Sequence, residues 1–229
     1  MSLLKYYQKL DDAVAYLFSS TINEKKFLKQ FFKNKKITFV DIGTNEGGYL
    51  DFLNNFIKFK KVICFEPIKD LSDKILKKYS KLNLLNFNFA VSNKDQIKTF
   101  YQYDISSQSS FYKQNDLFKS LKKLKKKYKI KAIKFDNFFK KKQKIDFCKI
   151  DVQGEEMNVL KGMTKHLKAK KIELIKIELS FIPRYNSVKP NFYDILIFLN
   201  KLNYKLFSTS KIKYKNNAIL FMDAFFKKN

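Results

Sequence analysis

The sequence is short of several residue types, and each shortage excludes a class of protein. It has two cysteines, Cys64 and Cys148, one histidine, His166, one arginine, Arg184, and no tryptophan. Two cysteines in separate apolar runs form neither a disulfide framework nor a set of metal ligands. No apolar run is long enough to span a membrane, and charged residues interrupt the N-terminus too early for a secretory signal. We therefore expect a cytoplasmic protein without a metal site.

The charge is strongly one-sided, because 48 lysines and arginines stand against 21 acids, a formal net charge of +27. Such a charge favours a nucleic-acid or anionic membrane partner. The basic residues are almost all lysine, however, whereas arginine makes the bidentate contacts with phosphates and bases. The abundance of Lys, Asn, Ile, Phe and Tyr is typical of an A/T-biased coding sequence. We therefore do not expect a nucleic-acid partner, and 229 residues with 45% hydrophobic content predict one folded domain.

One stretch organises the rest of the chain. The apolar run at 37–42 includes Asp41 and is followed by a turn, Gly43-Thr44-Asn45-Glu46-Gly47, and then by a segment of helical period. This order predicts a buried parallel strand, a glycine-rich turn and a helix. Gly43 and Gly47 let a ligand approach the backbone, and the helix presents free N–H groups to that ligand. We therefore predict a ligand site at this turn.

A second apolar run, at 61–65, ends at Glu66 and Pro67, about 20 residues beyond the glycines. In a nucleotide-binding βαβ unit, this position holds the carboxylate that binds the ribose. The turn is not a dinucleotide fingerprint, since Asn45 stands at the middle glycine, and no Gly-Lys-Ser/Thr follows as in a P-loop. We favour a ligand with a ribose and an adenine but no phosphates, which S-adenosylmethionine fits. A tight turn without a ligand is the alternative.

Three segments follow in the middle of the chain. Residues 84–91 predict a third strand, whose end brings Ala90 to an adenine pocket. Residues 97–111 predict a strand and a serine-rich loop, which is either a substrate-holding loop or a connector. Residues 117–128 keep a helical stripe through a run of lysines, so we predict an amphipathic helix. Its lysine face is either solvated or in contact with an anionic acceptor or a lipid headgroup, as in peripheral membrane contact.

A third apolar run with an acid at its end lies at 145–156. It ends at Asp151, and a glycine turn follows it and precedes a helix. Asp151 takes the same kind of position as Asp41, at the C-terminal end of a central strand. A cap of the helix is its other interpretation. His166, late in this helix beside two lysines, is predicted to lie on the surface. A fifth strand, at 172–179, brings Glu178 to the same edge.

The end of the chain indicates the fold class. Two strands at 204–207 and 218–226 have no helix between them, so they predict an antiparallel hairpin. A mostly parallel seven-stranded sheet that ends in such a hairpin, with helices on both faces, is the α/β sheet of Rossmann-like methyltransferases. We assign residues 35–229 to this domain and residues 1–34 to an N-terminal helical extension. Cys64 and Cys148 then lie on the two strands that flank the first.

Together the motifs resemble those of a known family. The turn V-D-I-G-T-N-E-G resembles V-D-x-G-A-N-x-G, and F-E-P matches the second motif. I-D-F-C-K-I-D-V-Q-G-E-E-M-N-V-L-K-G resembles I-D-x-x-K-I-D-V-E-G-A-E-x-x-V-L-x-G. From about Ile37 to the C-terminus, the chain resembles the FkbM-type S-adenosylmethionine-dependent methyltransferases. Thr44 departs from the usual Ala and Gln153 from the usual Glu, and the second change removes a carboxylate.

The resemblance implies methylation of an oxygen, commonly a hydroxyl of a sugar or of a secondary metabolite. We assign Asp41 and the turn to the methionine part of S-adenosylmethionine, and Glu66 to the ribose hydroxyls. Asp151 points toward the methionine ammonium or the acceptor. The predicted cofactor-binding residues are Asp41, Gly43, Asn45, Gly47, Glu66, Ala90 and Asp151. A hydroxyl acceptor must lose its proton, and the candidate bases are Asp151, Glu155 and Glu178.

Three other functions stay open. The charge favours an RNA-directed methyltransferase, although a base-amine enzyme typically shows Asn/Asp-Pro-Pro-aromatic where this chain has Asp-Val-Gln-Gly. The departure at Gln153 favours a catalytically inactive module that binds S-adenosylmethionine. A nicotinamide-dependent dehydrogenase is the third.

Overall fold

The computed structural model describes residues 23–115, 123–139, 143–215 and 218–229. These residues form an alternating series of strands and helices. The strands are β1 Ile37–Ile42, β2 Phe59–Phe65, β3 Leu84–Phe87, β4 Ala90–Ser92, β5 Gln96–Tyr103, β6 Leu124–Lys134, β7 Ile145–Ile150, β8 Ile172–Ser180, β9 Tyr204–Lys215 and β10 Ala218–Lys228. The helices are α1 Glu24–Phe32, α2 Gly48–Asn54, α3 Lys69–Lys78, α4 Phe135–Phe138, α5 Glu156–Gly162, α6 Thr164–Lys168 and α7 Phe192–Lys201, with a 3₁₀ turn at Ser106–Gln108.

Seven strands form the main sheet, in the order β3-β2-β1-β7-β8-β10-β9. The five strands from β3 to β8 in this order are parallel, whereas β10 runs antiparallel to both β8 and β9. The predicted fold class, a mostly parallel sheet that ends in an antiparallel hairpin, is confirmed. Cys64 and Cys148 lie on β2 and β7, on either side of β1 as predicted, and both are buried free thiols.

Each face of the sheet has its own core, because successive residues of a strand point to opposite sides. On one face Phe39 and Phe147 pack with side chains of α1 and α2, including Leu28. On the other face Val40 and Cys148 pack with side chains of α5, α6 and α7. Since both faces are covered, the central strands are mostly apolar, as expected for a parallel sheet. No helix in the described ranges is long and apolar enough to cross a membrane.

A second, three-stranded sheet in the order β4-β6-β5 departs from the predictions. The sequence predicts one strand over 84–91, but the chain leaves the main sheet after Phe87, and Ala90–Ser92 pairs with β6 instead. The helix predicted over 117–128 is also wrong where the structure describes it, because β6 begins at Leu124 and pairs with β5. Long-range pairing with β5 satisfies the backbone and overrides the local helical stripe. Residues 117–122 lie outside the described part of the chain, as do residues 1–22 of the predicted extension.

The predicted surface position of His166 is wrong. The predicted single helix breaks at Met163 into α5 and α6, and the His166 side chain turns into the core with no exposed surface. Its Nδ1 lies 2.6 Å from Asp136 Oδ1, and Asp136 also accepts the backbone N–H groups of Lys165 and His166. A partner from a distant segment therefore satisfies this histidine, which local sequence does not reveal.

Candidate functional site

A cavity of about 510 Å³ lies at the C-terminal edge of the parallel strands. This is where open α/β sheets bind their ligands, and the volume is typical of a small-molecule site. The main sheet forms its floor, and β4, β5 and the serine-rich segment after β5 form a wall. The charged residues of the lining are Glu24, Glu66, Lys149, Asp151, Glu155, Lys176 and Asp223.

The turn after β1 forms one side of the cavity. Gly43 has φ +84°, and a Cβ atom there would lie 2.0 Å from the carbonyl oxygen of Asp151, so only glycine fits. Asn45 also has positive φ, at 52°, and its buried Oδ1 has no hydrogen-bond partner among the described residues. A buried acceptor without a partner is costly. Because Asn45 lines the cavity, a donor group on a ligand would remove that cost.

Glu66, directly after β2, is the second element of the site. Its two oxygens accept the backbone N–H groups of Asn45, at 2.7 Å, and Ile68, at 2.8 Å. Burial raises the pKa of Glu66 to about 7, although these two hydrogen bonds oppose the shift. Each carboxylate oxygen still has a free lone pair, so the side chain can accept further hydrogen bonds from a pair of hydroxyl groups.

Lys149 of β7 joins the two predicted aspartates. Its Nζ lies 3.2 Å from Asp41 Oδ1, 3.2 Å from Gly43 O and 3.6 Å from Asp151 Oδ2. Asp41 is fully buried and lies outside the cavity lining, and burial raises its pKa against the effect of Lys149. Burial also raises the pKa of Asp151, but Lys149 and the Gln153 amide outweigh it and hold that pKa below its ordinary value. Asp151 lines the cavity and is ionised at neutral pH.

Glu155 lines the cavity with its hydrogen-bonding capacity already in use. Its carboxylate accepts hydrogen bonds from Ser92 Oγ at 2.5 Å, Tyr112 Oη at 2.7 Å and Lys98 Nζ at 3.0 Å. Lys98 lies on β5 and Ser92 on β4, so Glu155 ties α5 to the small sheet. This arrangement holds the wall of the cavity in place.

Of the other predicted site residues, some line the cavity and some do not. Ala90 lines the cavity, at the start of β4. Gly47 begins α2 but lies outside the lining, and a Cβ atom there would collide with the Tyr79 side chain. Glu178 also lies outside the lining and is bound to Arg184. The structure therefore brings Gly43, Asn45, Glu66, Ala90, Asp151 and Glu155 together around one cavity.

Sequence reasoning missed two lysines and the role of an amide. Lys149 and Lys176 line the cavity although each interrupts an apolar strand, and a lysine within such a run is the signal that was available, since it is seldom buried without a partner. Gln153 donates from Nε2 to Asp151 Oδ1 at 2.7 Å. Its Oε1 accepts from Tyr185 Oη at 2.7 Å and from Arg184 Nη2 at 3.2 Å. Gln153 thus orients Asp151.

The sheet order and this site define the class of S-adenosylmethionine-dependent methyltransferases. A family model described as the methyltransferase FkbM domain matches residues 41–206. The chain therefore belongs to the FkbM methyltransferase family, and its cofactor is S-adenosylmethionine. A search of curated proteins found no match.

Several solved structures are similar to this chain, and the first of them supports the fold. Methyltransferase FkbM from Methylobacillus flagellatus KT is similar over 83% of this chain, with 15% identity and a TM-score of 0.54, and the chain spans 43% of that chain's length. A methyltransferase from Aquifex aeolicus has 16% identity and a TM-score of 0.45 over 89% of both chains. M. capricolum TrmK, solved with S-adenosylhomocysteine, has 15% identity and a TM-score of 0.47 over 92% of this chain and 70% of its own.

The residues of the cavity fit the cofactor. Gly43 lets the turn pack directly against the Asp151 carbonyl, Asn45 offers a buried acceptor without a partner among the described residues, and Glu66 has free lone pairs that a pair of hydroxyl groups could occupy. The lining carries five carboxyl groups against two ammonium groups. This excess of negative charge suits a ligand with a sulfonium cation, because unlike charges attract strongly in a partly buried site.

Proposed function

We propose that the protein is an O-methyltransferase that transfers the methyl group of S-adenosylmethionine to a hydroxyl of a sugar or of a secondary metabolite. The observation that carries the proposal is Asp151, an ionised carboxylate on the cavity wall beside the glycine-rich turn. An alcohol acceptor must lose a proton as its oxygen is methylated. Asp151 is the acid in the cavity best placed to receive it.

The cofactor supplies an activated methyl group, so the chain need not provide a nucleophile. Glu66 holds the ribose hydroxyls, Asn45 accepts a hydrogen bond, and Ala90 with Phe100 and Phe111 borders the adenine side. Holding the acceptor oxygen in line with the methyl group lowers the barrier by several kcal/mol, of the order known for well-oriented reactants. The protein's own contribution is therefore orientation and removal of one proton.

Among the three candidate bases, the contacts support Asp151. Glu155 already accepts hydrogen bonds from three side chains, and Glu178 is bound to Arg184 outside the cavity lining. Asp151 is partly exposed, with 38% of its side-chain surface accessible. It can therefore accept a proton from an acceptor hydroxyl directly or through one water molecule.

The charge of the cavity favours an uncharged acceptor. A phosphate or carboxylate on the acceptor would face five carboxyl groups and only two ammonium groups, which is unfavourable in a partly buried site. The carboxylate of the cofactor differs, because the ammonium and sulfonium groups of the same molecule offset its charge. A neutral sugar or metabolite hydroxyl does not meet this repulsion.

Labelled methyl transfer tests the proposal. The full chain is incubated with methyl-labelled S-adenosylmethionine and cell fractions that contain glycans, small metabolites, lipids or RNA. We expect label in glycans or small metabolites, and a 10²- to 10⁴-fold slower transfer for Asp151→Asn at saturating cofactor, roughly the contribution of a general base. Cofactor binding without label in any fraction would contradict the proposal and indicate an inactive binding module.

RNA methylation is a second candidate, favoured by a different observation. A groove of about 320 Å³ shares Pro67 and Ile68 with the main cavity and is lined by Lys126, Lys129 and Lys131 of β6. Phosphates bound by these lysines would make RNA affinity fall steeply with salt. Label in the RNA fraction together with such a salt dependence would favour this candidate over the first.

A further inference from the structure

One end of the cavity is closed by parts of the chain outside the family match at 41–206. Glu24 belongs to α1 and Asp223 to β10, and both line the cavity with Lys176 of β8. The matched residues alone therefore do not contain all the charged groups of this end, because Glu24 and Asp223 come from outside them.

Lys176 is at the centre of this end. Its ammonium group lies 2.8 Å from Glu24 Oε1, 3.0 Å from Asp223 Oδ2 and 4.2 Å from the centre of the Tyr49 ring. Glu24 also accepts hydrogen bonds from Tyr49 Oη, at 2.6 Å, and Ser210 Oγ, at 2.8 Å. Lys176 is 5% exposed, so this charge has been withdrawn from water and needs its acidic partners. We call Glu24, Tyr49, Lys176, Ser210 and Asp223 the Lys176 cluster.

The register of the sheet makes the Lys176 cluster continuous with the glycine-rich turn. Lys149 is the neighbour of Asp41 across β1 and β7, and of Lys176 across β7 and β8. Glu66 follows β2, which lies on the opposite side of β1. A cofactor with its ribose at Glu66 and its adenine beside Ala90, as proposed above, would have its amino-acid end on the side of β7 and β8.

The chemistry of the Lys176 cluster complements that end of the cofactor. An amino acid carries a carboxylate and an ammonium group, and the cluster offers one ammonium and two carboxyl groups within the cavity. Charge-assisted hydrogen bonds of this kind are the strong ones. We propose that Lys176, held by Glu24 and Asp223, binds the carboxylate of the amino-acid end of the cofactor, so that α1 is part of the cofactor site. This inference rests on the proposed function.

Calorimetry on the full chain with two ligands tests the inference. S-adenosylhomocysteine has the amino-acid end, whereas 5′-methylthioadenosine keeps the adenosine and the sulfur but lacks it. We expect Lys176→Met to weaken S-adenosylhomocysteine roughly ten- to a hundredfold, the loss typical of one charged hydrogen bond. The affinity for 5′-methylthioadenosine should stay within about twofold. Lys201→Met, at an exposed lysine of α7, should change neither affinity.

Unchanged S-adenosylhomocysteine affinity in Lys176→Met, or an equal loss for both ligands in a folded variant, would overturn the inference. If Lys176→Met does not fold, Asp223→Asn replaces it. The wild-type protein must then bind S-adenosylhomocysteine roughly tenfold or more tightly than 5′-methylthioadenosine. Asp223→Asn must reduce this ratio of affinities. Wild-type protein that bound neither ligand would refute the proposed function as well, whereas binding of both without an effect at Lys176 would overturn this inference alone.

Discussion

The backbone N–H of Asn45 donates a hydrogen bond to Glu66 Oε2 at 2.7 Å. The turn after β1 and the acid after β2 are therefore one unit, although 21 residues separate them in sequence. Gly43 adds to this connection, because its N–H donates to the Phe65 carbonyl at 3.0 Å. A change of charge at Glu66 therefore acts on the conformation of the turn as well as on the ribose that we propose it binds.

Cofactor affinity should depend on pH through Glu66. Burial raises the pKa of Glu66 to about 7, so the carboxylate is protonated below that pH and loses acceptor capacity for the ribose that we propose it binds. We expect the affinity for S-adenosylhomocysteine, measured by calorimetry from pH 5.5 to 8.5, to increase as pH rises through about 7. Glu66→Gln should bind roughly tenfold or more weakly, with a flatter pH profile. Asp73→Asn, at an exposed ion pair, should keep the wild-type profile, and a pH-independent wild type would contradict this prediction.

Gly43 and Gly48 should respond differently to the same substitution. Gly43 has a positive φ, and a Cβ atom added there would lie 2.0 Å from the Asp151 backbone. A Cβ atom added at Gly48 would have no other atom within 4 Å. We expect Gly43→Ala to lower the free energy of unfolding by about 2–4 kcal/mol and Gly48→Ala to change it by less than about 1 kcal/mol. Urea unfolding of both variants measures the contrast. Equal losses of unfolding free energy in the two variants would show that the turn shifts to accommodate the added Cβ atom, and would contradict this prediction.

Gln153→Glu should be destabilising in a pH-dependent way. The Gln153 amide donates to Asp151 at 2.7 Å, and a carboxylate there would place two negative charges in contact. We expect a loss of about 1–3 kcal/mol at pH 8 that decreases toward pH 5, because protonation of one carboxyl group removes the repulsion. Urea unfolding at the two pH values measures it.

Gln102→Glu is the matched control, since Gln102 pairs with Lys126 on β6. A carboxylate there faces a basic strand, and we expect no loss of stability. A Gln153→Glu variant equally destabilised at pH 5 and pH 8 would show that repulsion of Asp151 is not the cause. Arg184 and Tyr185 would then be the contacts that depend on the amide.

Glu155 should stabilise the protein more than an exposed acid in a comparable ion pair. Glu155 is 1% exposed and holds Ser92, Lys98 and Tyr112. We expect Glu155→Gln to cost about 2–4 kcal/mol of unfolding free energy, since a buried charge network loses its anion. Glu173→Gln, whose partner Lys228 is partly exposed, should cost less than about 1 kcal/mol. Similar losses in urea unfolding for both variants would show that Glu155 does not hold the small sheet.

The central sheet was predictable because its signals are local. The strands β1 and β7 are mostly apolar runs buried on both faces, and glycines follow both where the backbone turns. The β2 strand, with Glu66 after it, and the terminal hairpin were predictable for the same reason. The small sheet was not, because β6 forms a strand only through pairing with β5, and its own leucine and lysine pattern favours a helix.

The sequence by itself determined the class of fold, the glycine-rich turn and the acids after the parallel strands, because strand period, glycine and chain order are encoded within a few residues. Only the tertiary structure decided which acids reach the cavity. Asp41 lies beneath the turn against Lys149, Glu155 is held by three donors, and Asp151 faces the cavity. It also brought Glu24 and Asp223 to Lys176 from the two ends of the chain. These differences arise from contacts between distant segments, and no local pattern specifies them.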